Sequence, residues 1–211
     1  MTAGRRGLCL FGGSFQPPHR THERIVRACL AKLPIEKVVV VPAGHHPHKR
    51  TREMVPAEVR LELCRLAFAG IAGVEVDDYE VARPVPSFTI DTVRHFRQRW
   101  PADAPLFWVI GSDNLPLLPS WRDHHEIQRL ATIVTFPRAS HPIDIELLAQ
   151  LDLTDAERAT LLANVLDVEP DAVSATAIRT ALRDGADADV DALLHPAVAR
   201  RIRELGLFGT R

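Results

Sequence analysis

Short apolar runs alternate with amphipathic stretches along most of the chain. Leu8-Cys9-Leu10-Phe11 is apolar throughout and is halted by Gly12 and Gly13, the form of a short buried parallel strand. Beyond the prolines at 17 and 18, Ile25, Val26, Cys29, Leu30 and Leu33 recur at helical spacing. Lys37-Val38-Val39-Val40-Val41 is a β-branched run stopped by Pro42-Ala43-Gly44, so strand, helix and strand predict a right-handed parallel crossover. Pro56 to Ala69 reads as an amphipathic helix with proline at an early position, and Val74-Glu75-Val76 as a third strand. Ser87 is placed as the N-cap of a helix carrying Ile90, Val93 and Phe96.

The second half repeats the alternation. Leu106-Phe107-Trp108-Val109-Ile110 is its strongest strand, and Thr132 to Phe136 is another. From Ser140 to Leu162 the periodicity is weak and reads as helix and loop; Val165 to Val168 reads as a short strand. Ser174 is the expected N-cap of a helix with Ala177, Ile178, Ala181 and Leu182 inside, and Asp184 to Asp191 links it to a last helix, His195 to Leu205. The pattern predicts an α/β fold, a mostly parallel sheet with helices on both faces. Residues 1–211 form a single domain in this reading, with 184–211 a C-terminal helical extension packed on it.

Composition narrows the functional classes. A formal net charge of -1 over 211 residues gives no basic field, so bulk attraction to nucleic acid or to an anionic membrane is not expected, and any anion site must be local. No run of eighteen apolar residues is present, and Met-Thr-Ala-Gly-Arg-Arg at the start is not followed by a signal-peptide apolar stretch. Cys9, Cys29 and Cys64 sit in apolar contexts with no C-x-x-C pair, so they are expected to be buried free thiols of a cytoplasmic protein. Monomer and homo-oligomer are both compatible with the sequence.

The candidate chemistry gathers where strands end. Gly12, Gly13 and Ser14 offer backbone N–H groups and a hydroxyl to phosphate oxygens, the glycines being free to take positive φ or to admit close approach. His19 and His22, three residues apart at a helix N-terminus, share a face and can donate to the same phosphates. The following loop, Ala43-Gly44-His45-His46-Pro47-His48-Lys49-Arg50, reads either as a solvated loop or as a carrier of Lys49 and His48 to those phosphates. Gly111-Ser112-Asp113 repeats the strand-end geometry; Asp113 is open to a ribose hydroxyl, a metal or a capping role. Trp121 is either core or a stacking platform for a flat ring. Ser174, Thr176 and Arg179 form a second anion site, and an arginine in a helix's first turn opposes the dipole unless an anion is bound. No protein-held metal site is assigned: His-x-x-His lacks a third ligand at familiar spacing.

Taken together, these motifs resemble the bacterial nicotinate mononucleotide adenylyltransferases, from about residue 7 to 208. Residues 12 to 22 resemble G-G-T/S-F-D-P-x-H-x-G-H; Ser87 to Thr92 resembles S-Y-T-x-D-T; Ile110 to Trp121 resembles I-G-x-D followed by Trp; and Val173 to Arg179 resembles I-S-S-T-x-I-R. Gln16, Thr21 and Ala175 depart from the pattern, standing where Asp, Gly and a second Ser are usual. The resemblance implies a Rossmann-like nucleotidyltransferase fold and transfer of AMP from ATP to nicotinate mononucleotide. The products are deamido-NAD and pyrophosphate, with Mg2+ carried mainly by the ATP phosphates, in NAD biosynthesis. It implies ATP contacts from Gly12, Gly13, Ser14, Phe15, His19 and His22, adenosine contacts from Gly111, Asp113 and Arg138, and pyrophosphate contacts from Ser174, Thr176, Arg179 and Lys49. Thr89, Trp121, Arg122 and His48 are then expected around nicotinate mononucleotide. The rival readings are an adenylyltransferase of the same superfamily acting on nicotinamide mononucleotide or phosphopantetheine, and a non-catalytic nucleotide-binding module.

Overall fold

The computed structural model describes residues 6–44, 54–170 and 172–210. Five strands, β1 (Gly7–Gly13), β2 (Ile35–Pro42), β3 (Val74–Val76), β4 (Leu106–Gly111) and β5 (Thr132–Phe136), form one sheet in the order β3-β2-β1-β4-β5. Every pairing is parallel. The order reverses between β1 and β4. In an open α/β sheet the loops leaving the strands diverge at that point and leave a crevice beyond the carboxyl ends.

Alternation along the strands sets two cores. Leu8, Leu10, Val39, Val41, Trp108 and Ile110 point to one face, and Cys9, Phe11, Val38, Val40, Phe107 and Val109 to the other. Helices α1 (Arg20–Lys32) and α2 (Ala57–Phe68) bury Ile25, Val26, Cys29, Leu63 and Cys64 on the second face. Helices α3 (Thr89–Arg99) and α4 (His124–Leu130) bury Ile90, Val93, Phe96 and Ile127 on the first. Both faces are covered, which explains strands apolar at nearly every position. All three cysteines are buried and free, as expected.

The stretch between Ser140 and Leu162, read as helix and loop, holds two helices joined by a loop, α5 (Ile145–Gln150) and α6 (Asp155–Ala163), the latter begun by a Thr154–Glu157 capping box. Other local expectations are corrected. Val165 forms only a single parallel bridge to Thr135, not a strand; α6 runs to Ala163, just before it. After α7 (Ala175–Arg183), the expected link contains a helix of its own, α8 (Asp187–Leu193), ahead of α9 (Pro196–Glu204). Val190, Leu194, Val198 and Ile202 join the same apolar cluster as α1 and α2, so the helical end is part of one core. Ser87 forms no cap: Phe88 is the N-cap residue of α3, and the Ser87 hydroxyl is buried with no hydrogen bond among the described residues.

Candidate active site

A cavity of about 660 Å³ opens at the carboxyl ends of β1 and β4. Its wall includes residues from Phe11 to Arg179, nearly the whole span of the described chain. The first turn shapes its floor. Gly12 and Gly13 remain in strand β1, and neither takes a positive φ, contrary to the expectation that they end the strand in a turn. The left-handed residue is Phe15, at φ 45°. Gly12 is required for a different reason: a Cβ there would lie 2.6 Å from the Trp108 ring on the adjacent strand. Trp108 and Gly12 thus fill each other's space at the cavity's edge.

His19 is the N-cap of α1 and His22 its third residue. The His19 main-chain N–H donates to His22 Nδ1 at 3.1 Å, and the two rings are 3.8 Å apart. That bond occupies the Nδ1 lone pair, so the neutral His22 ring carries its proton on Nε2. Burial, first, then His19 and Arg138 hold the His22 pKa well below the ordinary histidine range. Phe15, with its ring 5.0 Å away, and Phe11, 5.8 Å away, form the apolar side of that environment. His22 is a neutral donor at physiological pH, poised at the helix N-terminus.

Arg179 joins the two ends of the chain. Its Nη1 donates to the Gln16 carbonyl at 2.9 Å and its Nη2 to Thr176 Oγ1 at 3.1 Å. Both Thr176 and Arg179 line the cavity. Because α7 begins at Ala175, Arg179 stands beyond the first turn, so the dipole argument for an anion is weaker than the sequence suggested; the bridge to Gln16 places the guanidinium instead. Ser174 caps α7, its Oγ accepting from the Ala177 N–H at 3.1 Å, and it is not part of the cavity wall.

Near the start of α7, Arg138 donates to the Val173 carbonyl at 3.2 Å, its Nε lies 3.3 Å from Asp113 Oδ1, and it stacks over Phe136 at 5.2 Å. Thr89 and Trp121 line the same cavity. Arg122 is exposed and stacks over Phe88 at 5.1 Å, outside the wall. Gly111 stands in the wall beside Asp113. Lys49 and His48 lie outside the described residues.

Two buried charged residues beside the cavity were not anticipated. Arg60 is 1% exposed. It donates to the carbonyls of Ser14 (2.8 Å), Val55 (3.1 Å), Gly44 (3.2 Å) and Ala43. It therefore ties the Gly-Gly-Ser turn to the end of β2, fixing which way the turn's N–H groups face. Its sequence signal was available: with Leu63, Cys64 and Ala67 it occupies a buried helical stripe, where an unpaired arginine would be costly. Glu80, which lines the cavity, accepts from Thr92 Oγ1 at 2.6 Å and from the Gly44 main chain, and burial raises its pKa. No periodicity marks it, because it sits in irregular chain.

The profile of the cytidylyltransferase-like family matches residues 10–181. A relative from Albidiferax ferrireducens named nicotinate-nucleotide adenylyltransferase is 39% identical over 204 residues, covering 95% of this chain and 97% of its own. One of the same name from Gemmatimonas aurantiaca is 36% identical over 202 residues, covering 95% and 92%. Among solved structures, the fold is similar to Plasmodium falciparum nicotinic acid mononucleotide adenylyltransferase complexed with APC, with TM-score 0.76, 16% identity and 98% of each chain covered. The same protein complexed with NaAD gives a TM-score of 0.75.

Proposed function

The chain belongs to the nicotinate-nucleotide adenylyltransferase family of cytidylyltransferase-like proteins, and on that premise we propose that it joins the AMP of ATP to nicotinate mononucleotide. The products are nicotinate adenine dinucleotide and pyrophosphate. The observation that supports this reading is the hydrogen bond from Arg179 to the Gln16 carbonyl, which joins two segments from opposite ends of the sequence, each proposed to bind phosphate, in one cavity wall.

In the proposed reaction an oxygen of the mononucleotide phosphate attacks the α-phosphorus of ATP in line and the bond to pyrophosphate breaks. The attacking oxygen is already anionic at neutral pH, so no general base is needed, and catalysis rests on positioning and on neutralising the leaving group. His22 donates its Nε2–H to a phosphate oxygen, with His19 beside it, and Arg179 and Thr176 hold the outgoing pyrophosphate. Gly13, Ser14 and Phe15 supply the turn that cradles ATP. Asp113 and Arg138 frame the adenosine; Thr89 and Trp121 receive the nicotinate ring. Contributions from Lys49 and His48 belong to the same reading.

Mg2+ fits this cavity as an ion carried by substrate. The carboxylates in its described wall are Glu80, bonded to Thr92 and Gly44, and Asp113, paired with Arg138. The ion would therefore be held chiefly by phosphate oxygens, which His19, His22, Thr176 and Arg179 hold in turn, and it would supply charge neutralisation.

Pyrophosphate release from ATP and Mg2+ tests the assignment, with nicotinate mononucleotide, nicotinamide mononucleotide and phosphopantetheine compared at equal concentration. Strong preference for the first is expected. Preference for either of the others would overturn the substrate, and no release with any would overturn the activity.

A further inference from the structure

We infer a second site, for a borderline divalent cation such as Zn2+, formed by His124 and His125 at the start of α4 and Asp152 between α5 and α6. None of the three lines the cavity described above. One ligand atom from each side chain lies within 4.8 Å of the other two. Ligands of a tetrahedral zinc ion with bonds of about 2.0–2.2 Å stand roughly 3.5 Å apart, so closing the site needs a movement of about 1 Å. Asp152, with its side chain 85% exposed, is free to make it.

The two histidines are arranged differently, and both arrangements suit a metal. His125 Nδ1 lies 2.8 Å from Glu157 Oε1. A carboxylate on one ring nitrogen holds the proton there and leaves the Nε2 lone pair available to a metal, as metal-bound imidazoles are commonly supported. His124 is 9% exposed, and its Nδ1 makes no hydrogen bond among the described residues. Its Nε2 stands 4.0 Å from Asp152 Oδ2, too far for a hydrogen bond and close to the spacing of two ligands on one ion. The rings are 3.9 Å apart.

Two imidazoles and one carboxylate favour Zn2+, Co2+ or Ni2+ over Mg2+ or Ca2+, which prefer oxygen throughout. Three protein ligands leave a fourth position for water. Such an ion pins the first turn of α4 to the α5–α6 connection three residues after Trp121. It therefore acts on stability and on the placing of Trp121, not on phosphate chemistry.

Calorimetric titration of the chelator-treated full chain with Zn2+ alone tests this. One equivalent is expected to bind and to raise the thermal midpoint. Asp152→Asn and His125→Gln should each weaken binding by about tenfold or more and remove the thermal shift. Both side chains are exposed, so neither change should disturb folding, whereas replacing buried His124 would confound the result. Co2+ should give visible bands of a tetrahedral ion in the parent and not in the variants. Absence of saturable binding would overturn the site. Binding unchanged in both variants would also overturn it, placing the ion elsewhere, such as the His45-His46-Pro47-His48 run.

Discussion

His22 shows how one hydrogen bond fixes a tautomer while burial, with His19 and Arg138 nearby, sets the protonation state. Its folded pKa is depressed, so the folded protein resists the proton that an unfolded chain takes up near pH 6.5. This contribution to stability is complete above the unfolded value and is lost as pH falls through it towards the folded value. A proton NMR titration of the His22 ring should give a midpoint below 6.5, and denaturant stability should fall on acidification; a midpoint at or above 6.5 would contradict the neutral-donor role. Arg179 makes a separate prediction. Its guanidinium donates two charge-assisted hydrogen bonds to neutral oxygens at a partly exposed position, together worth on the order of a few kcal/mol to folding. Removing a preorganised donor to developing charge costs about 10²–10³ in turnover. Arg179→Ala should therefore reduce kcat in steady-state assays by about two to three orders of magnitude in a protein that still folds, and unchanged turnover would remove Arg179 from the reaction.

Among elements, β1 with its turn is the most demanding. Strand geometry sends Leu8 and Leu10 to one face and Cys9 and Phe11 to the other, and the apolar run itself was readable in the sequence. The reason for Gly12 was not, because Trp108 reaches it only once β4 pairs beside β1, Leu10 opposite Trp108. In Gly12→Ala the new methyl meets the indole at 2.6 Å. Overpacking of this kind costs about 1–3 kcal/mol, so the urea midpoint should drop, tryptophan fluorescence should change, and KM for ATP should rise as the indole shifts at the cavity edge. An unaltered midpoint and KM would mean that the ring moves freely. Helix α3 carries the opposite lesson. Its apolar positions Ile90, Val93 and Phe96 were legible, but its first residue was not, since Ser87 has cap-forming chemistry and a location that does not use it.

At the scale of the molecule, the C-terminal helices are core rather than appendage. Ile202 is fully buried in the cluster that holds Cys29, Leu63 and Val190. Ile202→Ala should cost about 2–5 kcal/mol in denaturant unfolding with one cooperative transition. A separate early transition would show that α8 and α9 unfold on their own. The sequence alone determined the parallel α/β architecture, the five strands at β1 to β5, and the residue types able to bind phosphate, because each follows from local periodicity and strand-ending chemistry. Tertiary structure decided which of them meet. The crossing at β1 and β4 opens the cavity, Arg179 reaches Gln16 across 163 positions, and Arg60 fastens the turn from a helix 46 positions away. Those are contacts between distant segments, set by how the helices pack on the sheet, and no local pattern encodes them.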